Sequence, residues 1–169
     1  ASGTHQIPYT ICDGVNSATN CSTATLTLVI GAPAITANSD TFTVTNGANG
    51  GTAGNVLTND EYNGTTDLTG NASVTLTWLT VPAGIQTNTD GTITVPAGTR
   101  SGTYEVGYKL CENLNNNHCA VATATIVVGQ ASLSVVSETF TISNGANGGT
   151  TSSVLENDSY NGTTGLAGN

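Results

Sequence analysis

Residues 40–71 are written a second time at 138–169. The stretch DTFTVTNGANGGTAGNVLTNDEYNGTTDLTGN returns as ETFTISNGANGGTTSSVLENDSYNGTTGLAGN, with 22 of 32 positions identical at a spacing of 98. Other landmarks repeat too. Ser2, Gly3, Thr4, Tyr9 and Cys12 return 99 residues later as Ser101, Gly102, Thr103, Tyr108 and Cys111, while Cys21 and Gly31 return at 98 as Cys119 and Gly129. A fixed period of this size is the mark of a tandem array of small domains. One complete unit runs from about Ala32 to Gly129. Residues 1–31 read as the C-terminal part of a preceding unit and 130–169 as the N-terminal part of a following one. Asn169 corresponds to Asn71 and Ala1 to Arg100, so joining those two parts between copies leaves the counterparts of 72–99 missing. That disfavours a closed self-complementing subunit and favours a longer polypeptide.

A unit of about 98 residues is the size of one small domain with a single core. Thr, Val, Ile and Tyr favour strands, Gly, Asn and Asp favour turns, and no segment carries helical periodicity. Only 8 % of residues are charged, yet the 37 % hydrophobic content falls in alternating runs that a disordered polar tract lacks. Arg100 and Lys109 alone oppose eleven acids, for a net charge of −9. Nucleic-acid binding needs Lys and Arg to displace counterions, so that class is excluded. No apolar stretch approaches the roughly 18 residues of a membrane helix, and an anionic lipid surface repels such a chain. The charge reads as solubility and mutual repulsion between neighbouring copies.

The four cysteines form two local pairs, Cys12 with Cys21 and Cys111 with Cys119. Each brackets an Asn-rich loop and leads into a strand, TATLTLVI or VATATIVV. Cysteines at matching places of a hairpin can bridge, once per repeat. A repeating zinc site should keep its ligands, but His118 has Asn20 as its counterpart, so disulfides are expected and with them an oxidising compartment. Closing a loop of this length contributes roughly 2.5 kcal/mol in the chain-entropy estimate.

Within the unit, GTYEVGYKL alternates cleanly, with Tyr104, Val106, Tyr108 and Leu110 on one face. In the next strand Ala120, Ala122, Ala124, Ile126 and Val128 form the apolar face, which leaves the cysteines on the outer one. Ile7, Tyr9 and Ile11, then Leu26, Leu28 and Ile30, repeat that pairing. TFTVT points Phe42 and Val44 inward, and SVTLTWLTV offers Val74, Leu76 and Trp78, the last read as a core residue. IQTNTDGTITV is a hairpin around Asp90 and Gly91. Short strands near Ile35 and around Val56 and Leu57 bring the count to about seven. The expectation is all-β, with tandem Ig-like antiparallel β-sandwiches.

VLTNDEYNG and VLENDSYNG are the most motif-like stretches. Calcium favours six to eight oxygens, and Asp60, Glu61 and Asp67, with Asp40 nearby, are the weak candidates for it. In the second copy the acids are Glu138, Glu156 and Asp158; Glu61 becomes Ser159 and Asp67 becomes Gly165, so those acids do not travel together. A structural turn is therefore expected and no cofactor is assigned. NGANGGT lacks the GK[ST] ending and following helix of a phosphate loop and reads as a specially turned connection. His5 and His118 occupy different places in the repeat, and no nucleophile, base and orienting group stand together. No catalytic residue is assigned and the chain is expected not to be an enzyme. Asn63, Asn71 and Asn161 begin triplets of glycosylation-acceptor form, which arise freely in an Asn- and Thr-rich chain.

Taken together, VLTND at 56–60, VPAGTRSGTYEVGYKLCE at 95–112, the Asn-rich loop and CAVATATIVV at 119–128 resemble the tandem repeats of giant Bacteroidetes cell-surface adhesins, the SprB-like gliding-motility proteins. The resemblance covers the whole unit and includes both cysteine pairs. It implies export, attachment at the bacterial cell surface, and a part in adhesion or gliding, and it identifies no ligand-binding residue. The expected function is a disulfide-stabilised stalk or spacer in a long extracellular adhesin or filament. Its expected partners are neighbouring repeats of the same chain. A self-assembling fibre subunit and a glycan- or surface-binding module using Thr rows are the alternatives. The short segment GAPAITANSD predicts limited bending between units.

Overall fold

A computed structural model of the chain describes residues 2–15 and 20–166. The chain is all-β: fifteen strands and one short 3-10 turn are described. Two strands open it, β1 (Gly3–Cys12) and β2 (Cys21–Ile30), paired antiparallel in one register from Gly3 opposite Ile30 to Cys12 opposite Cys21.

The complete unit holds ten strands: β3 (Ile35–Thr36), β4 (Asp40–Val44), β5 (Gly51–Asn55), β6 (Glu61–Tyr62), β7 (Thr65–Thr66), β8 (Val74–Thr80), β9 (Gln86–Thr87), β10 (Thr92–Val95), β11 (Gly102–Glu112) and β12 (Asn115–Val128). One sheet has the order β4-β12-β11-β8; the others are β5-β10-β9 and β3-β6-β7. The strands beyond those expected are the five-residue β5 and the two-residue β6 and β7. The sheets are not uniformly antiparallel either. Strand β4 joins β12 in parallel, from Asp40 opposite Ala124 to Val44 opposite Val128.

Between the sheets lies one core. Val106, Tyr108 and Leu110 of β11 and Ala124 and Ile126 of β12 are fully buried, with Val56, Leu68 and Ile93 facing them. The alternation of β11 and β12 produces this face, since successive side chains of a strand point to opposite sides. Phe42, Val74, Leu76 and Trp78 pack against it half-buried. The Trp78 ring meets Tyr108 edge-on, with centroids 6.2 Å apart and planes at 62°, and its indole N–H donates to Asn88 O at 3.2 Å. At the start of β11 the Tyr104 hydroxyl donates back to Arg100 O at 2.8 Å. A tyrosine tied to backbone just upstream of this strand is a feature of Ig-like sandwiches.

The stretch around Val56 and Leu57 is not a strand. It is a 3-10 turn (Val56–Thr58) capped by Asn55, whose Oδ1 accepts from Leu57 N at 2.9 Å. The cap redirects the chain so that Val56 and Leu57 both enter the core, which an alternating strand cannot do. NGANGGT is a turn only over its first part. Gly50 N donates to Asn46 O at 3.1 Å, and Gly51 and Thr52 already belong to β5. Gly54 marks a close approach, because a Cβ there would lie 2.3 Å from the Phe42 ring. After the complete unit come β13 (Leu133–Ser134), β14 (Ser159–Tyr160) and β15 (Thr163–Thr164), ordered β13-β14-β15.

Candidate functional site

Two buried carboxyls of the complete unit converge on one hydroxyl. Tyr108 stands at an inward position of β11, which forces its Oη into the core, where a polar atom needs a partner. The hydroxyl lies 2.8 Å from Asn38 O, 3.1 Å from Asp60 Oδ1, 3.3 Å from Asp40 Oδ2 and 3.5 Å from Val56 O. One proton is thus offered to four oxygens. Asp60 Oδ1 also accepts from Asn38 N at 2.7 Å, while Asp60 Oδ2 is buried without a partner. Asp60 is fully buried and Asp40 nearly so.

Burial pushes the Asp40 carboxyl up from its usual range to about 6, with repulsion from Asp60 adding to it and the Tyr108 hydrogen bond opposing it. Burial raises Asp60 as well, against the bonds from Asn38 N and Tyr108. The Tyr108 phenol is raised in turn, by burial first and then by the two carboxylates. It stays neutral at every physiological pH and serves as a donor, not as a base or nucleophile. The cluster ties the entrance of β4, the Asn59-Asp60 turn and the middle of β11 to one point.

The calcium candidates do not assemble. Asp60 is inside the core, Glu61 sits half-buried on β6, and Asp67 lies on an exposed turn. Asp67 Oδ1 accepts from Thr69 Oγ1 at 2.6 Å and Thr69 N at 3.2 Å, bonds that hold its carboxyl below the usual range. Among the described residues no three His, Cys, Asp or Glu side chains are placed to hold a metal ion. Asn55, just before the VLTNDEYNG segment, and Asn59 within it bond to nearby groups, Asn59 Nδ2 reaching Ser39 O at 3.3 Å. Asn63 and Gly64 form the β6–β7 turn with φ of 51° and 79°.

Sequence reading placed Tyr108 on the inner face but missed that Asp40 and Asp60 meet it. A signal existed. Tyr9, Glu138 and Asp158 are the counterparts of Tyr108, Asp40 and Asp60, so the hydroxyl and both acids recur together.

Two disulfides are present, Cys12–Cys21 and Cys111–Cys119, each between directly opposed residues of a hairpin. Cys111 is buried although it lies on the face of β11 opposite Leu110. Next to it the buried Glu112 lies 3.5 Å from the Tyr62 hydroxyl and 3.5 Å from His118 Nδ1. Disulfides form and persist in an oxidising compartment.

The NGANGGT loop closes the exit of the unit and meets the opening part of the next one. Gly47 N donates to Gly129 O at 2.9 Å and Gly129 N to Val44 O at 2.8 Å. Asn46 Nδ2 donates to Asn161 Oδ1, and Asn161 Nδ2 donates to Asn49 Oδ1 at 2.5 Å. Asn161 is the turn residue between β14 and β15 and the counterpart of Asn63. A cleft of about 640 Å³ lies beside this joint, lined in part by Arg100, Gly129, Leu133 and Tyr160. No helix among the described residues is long and apolar enough to cross a membrane.

No family model matches the chain. No curated protein matches it either. Among solved structures it is similar to chicken VE-cadherin EC1-2, at 16 % identity and a TM-score of 0.42, over 75 % of this chain and 67 % of that one. It is similar to the human desmocollin-1 ectodomain at 17 % identity and a TM-score of 0.41, over 63 % of this chain and 22 % of that one. It is also similar to extracellular cadherin domains 1-5 of protocadherin gamma B2, at 16 % identity and a TM-score of 0.41, over 82 % and 28 %. The chain thus spans well under a third of the latter two, and at such scores nothing about ligand or partner passes from those proteins to this one.

Proposed function

We propose that the chain is a non-catalytic repeat segment of a long extracellular adhesin or surface filament, of the kind that giant Bacteroidetes adhesins use in surface adhesion or gliding. It acts as a disulfide-stapled stalk. The observation that carries this reading is the joint at Asn161, where the loop of one unit holds the Asn-Gly turn of the next through residues that recur at the repeat spacing. Such a joint passes load and direction from unit to unit, which a spacer needs and an enzyme does not. The polar groups inside the unit are spent on holding strands together, as the Tyr108 cluster does. Strands of ten or more residues at about 3.3 Å each give every unit a length of roughly 30 Å, so a run of copies carries a distal part far from the cell.

Antibodies against residues 32–129, applied to intact source cells, test the reading together with deletion of the gene. Label along surface projections and loss of adhesion or gliding are expected. Label confined to the cell interior, with adhesion and gliding intact, would contradict it.

A further inference from the structure

Where the opening hairpin meets the complete unit, Asn115 Nδ2 donates to Ser2 Oγ at 3.2 Å. Ser2 is the counterpart of Ser101 and stands just before β1, whose first residue pairs with Ile30. It therefore belongs to the end at which the chain leaves its unit. Asn115 begins β12, which runs from the hairpin tip toward the exit at Gly129. It therefore belongs to the end at which the next unit is entered. The Ser2–Asn115 bond thus joins an exit to the following entry, as the bonds of Asn46 and Asn49 with Asn161 do one joint later. The two contacts use different residues. Ser101 is the counterpart of Ser2 and Asn63 that of Asn161, so the repeat spacing makes them two halves of one joint.

Both halves are braced to each other within the unit that carries them. At the entry end, Asn113 N donates to Ser73 O at 2.9 Å and Asn113 Nδ2 to Ala72 O at 2.6 Å, while the Cys111–Cys119 bridge closes the ladder beside the tip. The buried Glu112 lies 3.5 Å from the hydroxyl of Tyr62, the residue before Asn63, and so ties the tip to the docking turn. At the exit end, Gly98 N donates to Gly47 O at 3.0 Å and to Ala48 O at 3.2 Å. Those bonds seat the Asn46–Asn49 loop against the segment that leads into Ser101.

We propose that the disulfide-closed hairpin tip of each unit is a second clasp, in which the residue at the Asn115 position grips the serine at the Ser101 position of the unit before it. The partner of this surface is the preceding repeat of the same chain. A joint of few polar contacts ordinarily leaves neighbouring domains free to move. A covalent connection and one clasp still leave a hinge about the line that joins them. The second clasp opposes that hinge, because Asn115 stands on the β4-β12-β11-β8 sheet and the Asn63 turn on the β3-β6-β7 sheet. Successive units then keep a fixed twist as well as a limited bend. The disulfide holds the shape of a docking tip, and Glu112 couples the two docking points.

This deepens the stalk reading and rests on it for its setting, but its test is made inside the 169-residue chain. NMR of the unsubstituted chain is expected to give nuclear Overhauser contacts between the Asn115 side-chain amide and Ser2, with one correlation time over β1, β2 and the complete unit. Asn115→Ala should lose those contacts and shorten the correlation time of β1 and β2 alone. Asn117→Ala, an exposed change in the same tip, should do neither. Trp78 fluorescence on unfolding is expected to show the same midpoint in all three proteins. Independent tumbling of the hairpin in the unsubstituted chain, tumbling unmoved by Asn115→Ala, or equal loosening by Asn117→Ala would each overturn the proposal. None of those results touches the stalk itself, which stands on a single clasp per joint and is judged by surface labelling and gene deletion.

Discussion

The Tyr108 hydroxyl has one proton and four oxygens within reach, two of them on carboxyl groups. Tyr108→Phe removes that proton and leaves two buried acids facing each other. We expect a loss of about 2 kcal/mol, the scale for a buried acceptor left unmade, read from urea unfolding of the complete unit. The acids also set a pH dependence. Asp40 titrates near 6 in the folded chain against 3.8 as its ordinary value, so the folded state holds the proton more tightly than the unfolded one. Its stabilisation is fully present below the ordinary value and is lost as pH rises through about 6. Unfolding free energy should therefore rise on going from neutral to mildly acid solution, on the order of 2 kcal/mol for a shift of this size. Asp40→Asn should flatten that slope, and a slope unchanged by the substitution would count against the assignment. None of this was legible residue by residue, because Asp40, Asp60 and Tyr108 lie far apart in sequence and only the fold brings them to one point.

Among the elements, β11 and β12 were the most legible, since strict alternation and two agreeing copies leave one arrangement. The inward face, the outer-face cysteines and the Asp90-Gly91 hairpin all follow from period and turn chemistry. The parallel β4–β12 ladder was not legible. Parallel pairing joins residues more than 80 apart, and nothing in the local pattern of TFTVT tells a parallel edge from an antiparallel one. Val56-Leu57 misled for a different reason. Two apolar residues in a row fit a buried strand or a tight turn equally well, and the Asn55 cap decides between them. The disulfide closes the hairpin at its far end, so the long ladder persists without it. Replacing Cys111 and Cys119 by Ala should lower stability by roughly 2.5 kcal/mol through the unfolded state, with the strand signature of the circular dichroism spectrum unchanged. Loss of that signature would mean the bridge also enforces the register.

At the scale of the whole molecule, the repeat spacing carries most of the meaning. It explains why Asn63 and Asn161 occupy identical turns, the second of them docked on Asn46 and Asn49 of the unit before it. That joint predicts limited bending. Asn161→Ala should loosen it, visible in NMR relaxation as faster independent tumbling of the closing segment, while the complete unit keeps its unfolding midpoint. Equal relaxation in both proteins would remove the joint from the account. The central claim, a covalent array acting as a stalk, rests on the spacing itself, and the mass of the native polypeptide under full denaturation and reduction tests it most directly. The account predicts a mass many times 16.9 kDa; a native mass near 16.9 kDa would contradict it.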